Sequence, residues 1–394
     1  MPDDPIVITG AARTPMGAFN GALAPMTAPQ LASPALLAAM HQAGLAGEQI
    51  DEVLLGHVLP AGVGQAPARQ AAFAAGLPAS TPCAGISKVC GSGMKALIAA
   101  HDSLLAGSND IVLAGGMESM TNAPYLLDRA RAGYRLGHGR TLDHMFLDGL
   151  EDAYEDGRLM GTFAEDCAAH YDFDRQAQDA FATASYERAR TAAEQGHLQA
   201  EITPLEVRQR RQTVTVAEDE PPFAVDPSRI PDLKPAFQQD GTVTAGNASS
   251  IADGAAALTL MRRSRAAALG ITPLAVVRGH SGHAQTPGWF TTAPVGAMRK
   301  LLARLRWEPG EVDLFEINEA FAVVPMASLR ELDIPHEKTN IHGGACALGH
   351  PLGASGARIV VTLLHAMAHH GCRRGVASLC IGGGEATAMA LERV

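Results

Sequence analysis

The chain has 394 residues, 47% of them hydrophobic and 18% charged, with a formal net charge of −10. That length allows two or three domains with well-buried cores, and the composition is that of an ordinary α/β protein. No apolar run approaches the roughly 20 residues of a membrane helix, and no Lys/Arg block offers a nucleic-acid footprint, so neither partner is expected.

The opening stretch MPDDPIVITGAARTP is acidic and goes directly into a strand-like run. It lacks the basic or amphipathic character of a leader, which points to the cytoplasm. IDEVLLG (50–56) reads as an apolar strand. Further on, AGISKVC (84–90) ends in Cys90, and Gly91-Ser92-Gly93 leads into a helix of i, i+3, i+4 apolar spacing and then the strand DIVLAGG.

Residues 122–247 differ in kind. They are charged and irregular, with one long helical pattern at about 174–195 and prolines at 204, 221, 222, 227, 231 and 235. An insertion of this type is expected to be a lid or binding-loop domain. Its Arg208, Arg210 and Arg211 are candidates for an anion patch or, more simply, a solvated charged face. GTVTAGNASSIADGAAALTLM (241–261) returns to small-residue core.

The second part repeats the first. VDLFEIN (312–318) is a strand, a glycine-rich loop carries His350, a helix follows, and GVASLCIGGG (375–384) is a buried strand. Gly115-Gly116-Met117-Glu118 is answered by Gly382-Gly383-Gly384-Glu385. Repeated βαβ units predict parallel or mixed sheets covered by helices, in two halves about a pseudo-twofold axis. Two unrelated βαβ stretches are the plainer alternative.

Six cysteines lie at positions 83, 90, 167, 346, 372 and 380 without a C-x-x-C pair, a spacing that suggests neither a zinc site nor a disulfide framework. Cys90 at a helix N-terminus meets unsatisfied N–H groups and the positive end of the dipole, both of which favour the thiolate. The same position suits a buried structural thiol. His350 on its loop is a candidate base for that thiol or a satisfied structural histidine. Cys380, at the end of a buried strand, is a second reactive thiol or core packing. Asn318-Glu319-Ala320-Phe321 carries polar groups at a strand C-terminal end, where α/β sheets form sites.

KVCGSGMKA (88–96), TAGNASSIADGAAA (244–257), FEINEAFA (315–322), HGGACALGHPLGASGARI (342–359) and LCIGGG (379–384) resemble the signature set of the thiolase family, as do the flanks VLPAGVGQAPARQAA and GGMESMTNAPY. The resemblance spans essentially the whole chain and is strongest to the short-chain acetyl-CoA acetyltransferases, a subgroup also suggested by the stretch RAGYRLGHGRTLDHMFLDGLEDAY.

It implies a five-layer α-β-α-β-α fold: residues 1–121 plus 248–270 as one half, 271–394 as the other, and 122–247 as a loop domain for CoA binding and oligomerisation. It implies that Cys90 carries the acyl group, that His350 removes its proton, and that Cys380 moves the α-proton of the second acetyl-CoA. One oxyanion hole would comprise His350 and a water held by Asn318, and the other the N–H groups of Cys90 and Gly382. Ser249, Met160, Phe237, Phe290 and Phe321 are the implied CoA and acyl contacts. CoA would be substrate and product, with no cofactor or metal, and the chain would form a homotetramer as a dimer of dimers.

Two departures concern the acyl pocket. Leu159 stands where short-chain members often have His, and Trp289-Phe290-Thr291-Thr292-Ala293-Pro294 replaces an M-G-x-G-P stretch, so bulky aromatics narrow or reshape the pocket. A degradative 3-ketoacyl-CoA thiolase for longer chains is the alternative reading. A decarboxylating ketoacyl synthase has no need of Cys380, and a silent scaffold would have lost one of Cys90, His350 and Cys380.

Overall fold

The computed structural model describes residues 4–209 and 211–394. Nine principal strands are β1 (Ile6–Arg13), β2 (Glu52–Gly56), β3 (Cys83–Ile86), β4 (Ile111–Ser119), β5 (Ala252–Arg262), β6 (Ala275–Ala284), β7 (Leu314–Ile317), β8 (Arg374–Ile381) and β9 (Glu385–Arg393). They pair in the order β7-β8-β9-β6-β1-β5-β4-β2-β3. The β2–β3, β2–β4 and β7–β8 pairs are parallel and the rest antiparallel. Only two residue pairs, Val7↔Val276 and Ile8↔Ala275, join β1 to β6. The sheet is therefore two halves meeting edge to edge.

The halves repeat one another. β1 leads to α1 (Ala28–Gln42) as β6 leads to α6 (Ala293–Leu305). β2 leads through α2 (Pro67–Ala74) to the edge strand β3, and β7 through α7 (Val323–Leu332) to Thr339, which bridges parallel to Phe315. α3 (Ser92–Ala106) precedes β4, and α8 (Leu352–His369) precedes β8.

Strand alternation sorts the apolar side chains into layers. Ile6, Ile8, Leu54, Val112, Leu258, Leu379 and Leu391 share a core with Leu97 and Leu104 of α3 and Ile359 and Leu363 of α8. Val7, Val53, Leu113 and Met261 face α1 and α2 instead, while Phe315, Val376 and Ala388 face α6. Two helices thus lie between two half-sheets, with further helices outside them, in five layers.

The central helices cross at glycine. A Cβ on Gly93 would stand 2.8 Å from Gly353 O and Ala357 N, and one on Gly356 2.4 Å from Met94 N. This close approach brings the starts of α3 and α8 together, and with them Cys90 and His350.

One expectation is corrected. Gly115 and Gly116 do not answer Gly382 and Gly383. The first pair lies inside β4 against the carbonyls of Ala256 and Gly353, whereas Gly382–Gly384 form the turn between β8 and β9, with Gly383 and Gly384 at positive φ. The one long helical pattern of the insertion is α5 (Arg175–Glu194), and a shorter helix, α4 (Met160–His170), precedes it with the apolar stripe Phe163, Ala164, Cys167, Ala168.

The insertion occupies the connection from β4 to β5, where the other half has only the 382–384 turn. Buried Arg13 of β1 ties it down, its Nε 2.6 Å from Glu201 and its guanidinium forked onto Asp219. No helix among the described residues is long and apolar enough to cross a membrane.

Candidate active site

Cys90 stands at a tight turn between β3 and α3. The preceding residue, Val89, has φ +44°, a conformation that costs a β-branched residue of order 1–3 kcal/mol. Ser92 holds the turn closed: its hydroxyl accepts from Lys88 N at 2.8 Å and donates to Val89 O at 2.6 Å. A Cβ on Gly91 would meet Ile381 at 2.3 Å, so the turn needs glycine to seat against β8.

The Cys90 thiol faces a cavity of about 350 Å³. Its pKa is pushed up to about 11 by burial, against which the N–H groups of Gly382 and of Cys90 itself pull the other way. The helix-terminus argument from sequence therefore loses to desolvation, and the resting group is a thiol. Two N–H groups converging on one sulfur are also the arrangement that an oxyanion beside it requires.

His350 reaches the same cavity from the loop before α8. Burial pulls its pKa down to about 3, helped by Arg358, so it is a neutral imidazole at physiological pH. Its Nδ1 lies 2.6 Å from Ser355 Oγ, and that hydroxyl donates to Pro351 O at 2.9 Å. Ser355 must then accept from His350, which places the proton on Nδ1 and leaves the Nε2 lone pair free. Nε2 has no protein partner among the described residues.

Ser355 went unremarked in the sequence. The signal was present in the duplication: Ser92-Gly93 at the start of α3 matches Ser355-Gly356 at the start of α8, and each serine braces its own loop. Glu118, also missed, is buried at the end of β4 and accepts from the N–H groups of Val58, Leu59 and Gly353, fixing the α8 N-terminus to the first half.

Asn318 ends β7, with its Nδ2 3.4 Å from His350 Nδ1 and its Oδ1 buried without a protein partner among the described residues. Next to it, Glu319 accepts from Ser185 Oγ, Asn340 Nδ2 and Cys346 N, so it braces the loop leading to His350. Burial raises the pKa of Glu319.

Of the residues singled out from sequence, Cys90, His350, Gly382, Ser249, Met160, Phe237, Phe290 and Phe321 all line this one cavity. Asn318 and Cys380 lie just behind its wall. Cys380 is fully buried beside Phe290, Phe321 and Cys167. Its thiol is held far up by burial first and the neighbouring Cys90 second.

The remaining wall comes from the insertion. Phe237 lies over Gly161, where any Cβ would meet its ring at 2.3 Å, and crosses Phe321 edge to face at 5.9 Å. Ser249 N donates to Ala320 O at 3.0 Å, and His350 N to Ser250 O at 3.0 Å, which stitches the NASS segment to both loops. Leu159 and Phe290 line the cavity, whereas Trp289 packs on His170 outside it, so only one of the two expected aromatics narrows the pocket.

Arg208 and Arg211 are not part of this site. Arg211 lines a separate recess with Asn20 and Glu220, Arg208 is exposed, and Arg210 lies outside the described residues.

Comparison with known proteins identifies the family and the fold. Residues 6–264 match the model of the thiolase N-terminal domain, and residues 271–393 that of the thiolase C-terminal domain. The chain is 47% identical over 390 residues to acetyl-CoA acetyltransferase 2 of Arabidopsis thaliana, covering 98% of this chain and 96% of that one. It is 45% identical over 392 residues to the acetyl-CoA acetyltransferase of Cupriavidus necator, covering 98% and 99%. Among solved structures, the Bacillus anthracis acetyl-CoA acetyltransferase superposes with a TM-score of 0.97 at 40% identity, covering 99% of both chains. The Acat5 thiolase of Ascaris suum in complex with coenzyme A superposes with a TM-score of 0.94 at 39% identity, covering 99% of this chain and 100% of that one.

Proposed function

The chain belongs to the thiolase family, and from that premise we propose that it is an acetyl-CoA acetyltransferase, joining two acetyl-CoA into acetoacetyl-CoA and CoA and running in reverse. The observation that carries this reading is the convergence of Cys90, His350 and the Gly382 N–H on one apolar cavity. The full-length identity to acetyl-CoA acetyltransferases supports the same substrate.

In the first half-reaction, His350 Nε2 takes the Cys90 proton as sulfur attacks the thioester carbonyl. The sulfur–acyl bond forms, the bond to the CoA sulfur breaks, and CoA leaves with the proton from His350. In the second, the Cys380 proton passes to the free Nε2 of His350, and the thiolate so formed takes the α-proton of the next acetyl-CoA. The enolate oxygen rests against His350 and a water held by Asn318, while the acyl oxygen on Cys90 faces the N–H groups of Cys90 and Gly382. The new carbon–carbon bond breaks the Cys90–acyl bond, the His350 proton goes to the Cys90 sulfur, and Cys380 keeps the α-proton, so all three groups return to their resting forms.

The burial that raises the Cys380 thiol suits this role, because a stronger base is better matched to a weakly acidic C–H. A dry cavity lined by Phe237, Phe290 and Phe321 strengthens each of these hydrogen bonds. CoA is substrate and product, and the reaction itself calls on no cofactor or metal. Ser249, Met160 and Phe237 hold its pantetheine arm against the insertion.

We further propose a homotetramer in the cytoplasm, serving fatty acid metabolism. Two surface features support self-association: edge strand β3 with Ala84 and Gly85 exposed, and Leu136, 98% exposed, in the loop above the Tyr125–Leu126 and Leu142–Asp143 pairing. Six free thiols fit a reducing compartment.

The test is thiolysis of acetoacetyl-CoA and of a long-chain 3-ketoacyl-CoA, with Cys90→Ala and Cys380→Ala alongside. Acetoacetyl-CoA should be the faster substrate. Cys90→Ala should form no acyl-enzyme by mass spectrometry, and Cys380→Ala should acylate without condensing. Faster turnover of the long substrate would make this a degradative long-chain enzyme, and equal acyl transfer by Cys90→Ala would sink the mechanism.

A further inference from the structure

On the side of the molecule served by the far end of α8, four histidines from three separate segments meet. His197 follows α5 in the insertion, His342 opens the loop that ends in His350, and His369 and His370 close α8. All four rings lie together, with centroid separations from 3.9 Å for His197–His369 to 6.2 Å for His342–His369. One donor nitrogen from each of His197, His369 and His370 falls within 4.8 Å of the others, and His342 Nε2 is 3.1 Å from His370 Nε2. No ion pair among the described residues involves any of the four, so the protein offers these imidazoles little besides each other.

We propose that His197, His369 and His370 bind one divalent cation of the zinc class, with His342 Nε2 as the fourth nitrogen. Neutral imidazole is the preferred ligand of Zn²⁺ and its neighbours, and carboxylate-favouring Mg²⁺ or Ca²⁺ would find nothing here. Tetrahedral ligands at Zn–N ≈ 2.0–2.1 Å stand about 3.3 Å apart, close to the 3.1 Å already present between His342 and His370. The remaining nitrogens need only side-chain rotation, which His369 and His370 have as exposed residues and His197 as a partly exposed one.

A bound cation would fasten the insertion to α8 and to the loop that presents His350. It would act as a clamp behind the site and take no part in the chemistry.

The experiment uses the full-length protein stripped by a chelator, titrated with Zn²⁺ by calorimetry and with Co²⁺ by visible spectroscopy, beside the double variant His369→Ala/His370→Ala. The native protein should bind one equivalent per chain and gain thermal stability with Zn²⁺. Its Co²⁺ spectrum should be tetrahedral without a thiolate charge-transfer band. The double variant should lose well over the 10–100-fold that even a supporting partner of a ligand is worth, about two decades or more, with unchanged kcat in metal-free buffer. Equal affinity in the two proteins, or a thiolate band that survives in the variant and places the cation on a cysteine, would overturn the assignment.

Discussion

Ser355 shows how far a single hydroxyl reaches. Its Oγ accepts from His350 Nδ1 at 2.6 Å and so sets which nitrogen of the imidazole faces the cavity. Ser355→Ala leaves a buried N–H with no strong acceptor, a loss of about 1–3 kcal/mol. We expect kcat to fall by that amount with KM for acetoacetyl-CoA little changed, and Ser355→Thr to recover part of it. Steady-state kinetics on the three proteins check this, and a fall confined to KM would mean that Ser355 shapes binding rather than the base. The Cys90 and His350 candidates were visible in the sequence because a reactive group on a glycine loop before a helix is a local pattern. Their resting protonation was not visible, since the thiolate expected from the helix terminus gives way to burial that only the folded cavity supplies.

At the scale of elements, the crossing of α3 and α8 decides whether nucleophile and base share a cavity. Gly93 has no room for a methyl: its Cβ would lie 2.8 Å from two backbone atoms of α8. Backbone on the facing helix cannot rotate aside, so Gly93→Ala must push the helices apart. An overpacking cost of about 1–3 kcal/mol is expected, measurable as a lower midpoint in urea. Activity should drop further than stability, because Cys90 and His350 sit on opposite sides of the crossing. An unchanged kcat in a destabilised variant would show that the separation between the two loops is set elsewhere. The helix α4 illustrates what periodicity misses: short, with Gly161 and Thr162 in its first turn, it is held by Phe163, Ala164 and Cys167, which share a core with Phe290 and Phe321.

For the whole molecule, the insertion must be held firmly to the two halves, since it supplies Phe237 and Met160 to the cavity wall. Arg13 is its anchor, fully buried and shared between Glu201 and Asp219, which raise its pKa against the pull of burial. Arg13→Ala leaves two carboxylates buried without their cation, and breaking such a buried pair costs about 3–5 kcal/mol. We expect a clear loss in the chemical-denaturation midpoint and, at temperatures below it, a weaker apparent affinity for CoA thioesters. Native-like stability would mean that the carboxylates escape to solvent or take up protons without cost.

The sequence by itself carried the repeated α/β pattern in its local spacing (strand, glycine turn, helix, strand), while the family and the residues that line the cavity followed from the resemblance of its motifs to the thiolases. That resemblance, rather than spacing, implied that Cys90, His350 and Gly382 belong to one site, though they lie far apart along the chain. Only the tertiary structure decided that Trp289 faces away from the pocket, that Ser355 and Glu118 brace the two reactive loops, and that Gly115 and Gly382 occupy different places in their half-sheets. It alone gathered four histidines behind the His350 loop. Burial, register and the partners of a hydroxyl depend on segments distant in sequence, and no window along the chain contains them.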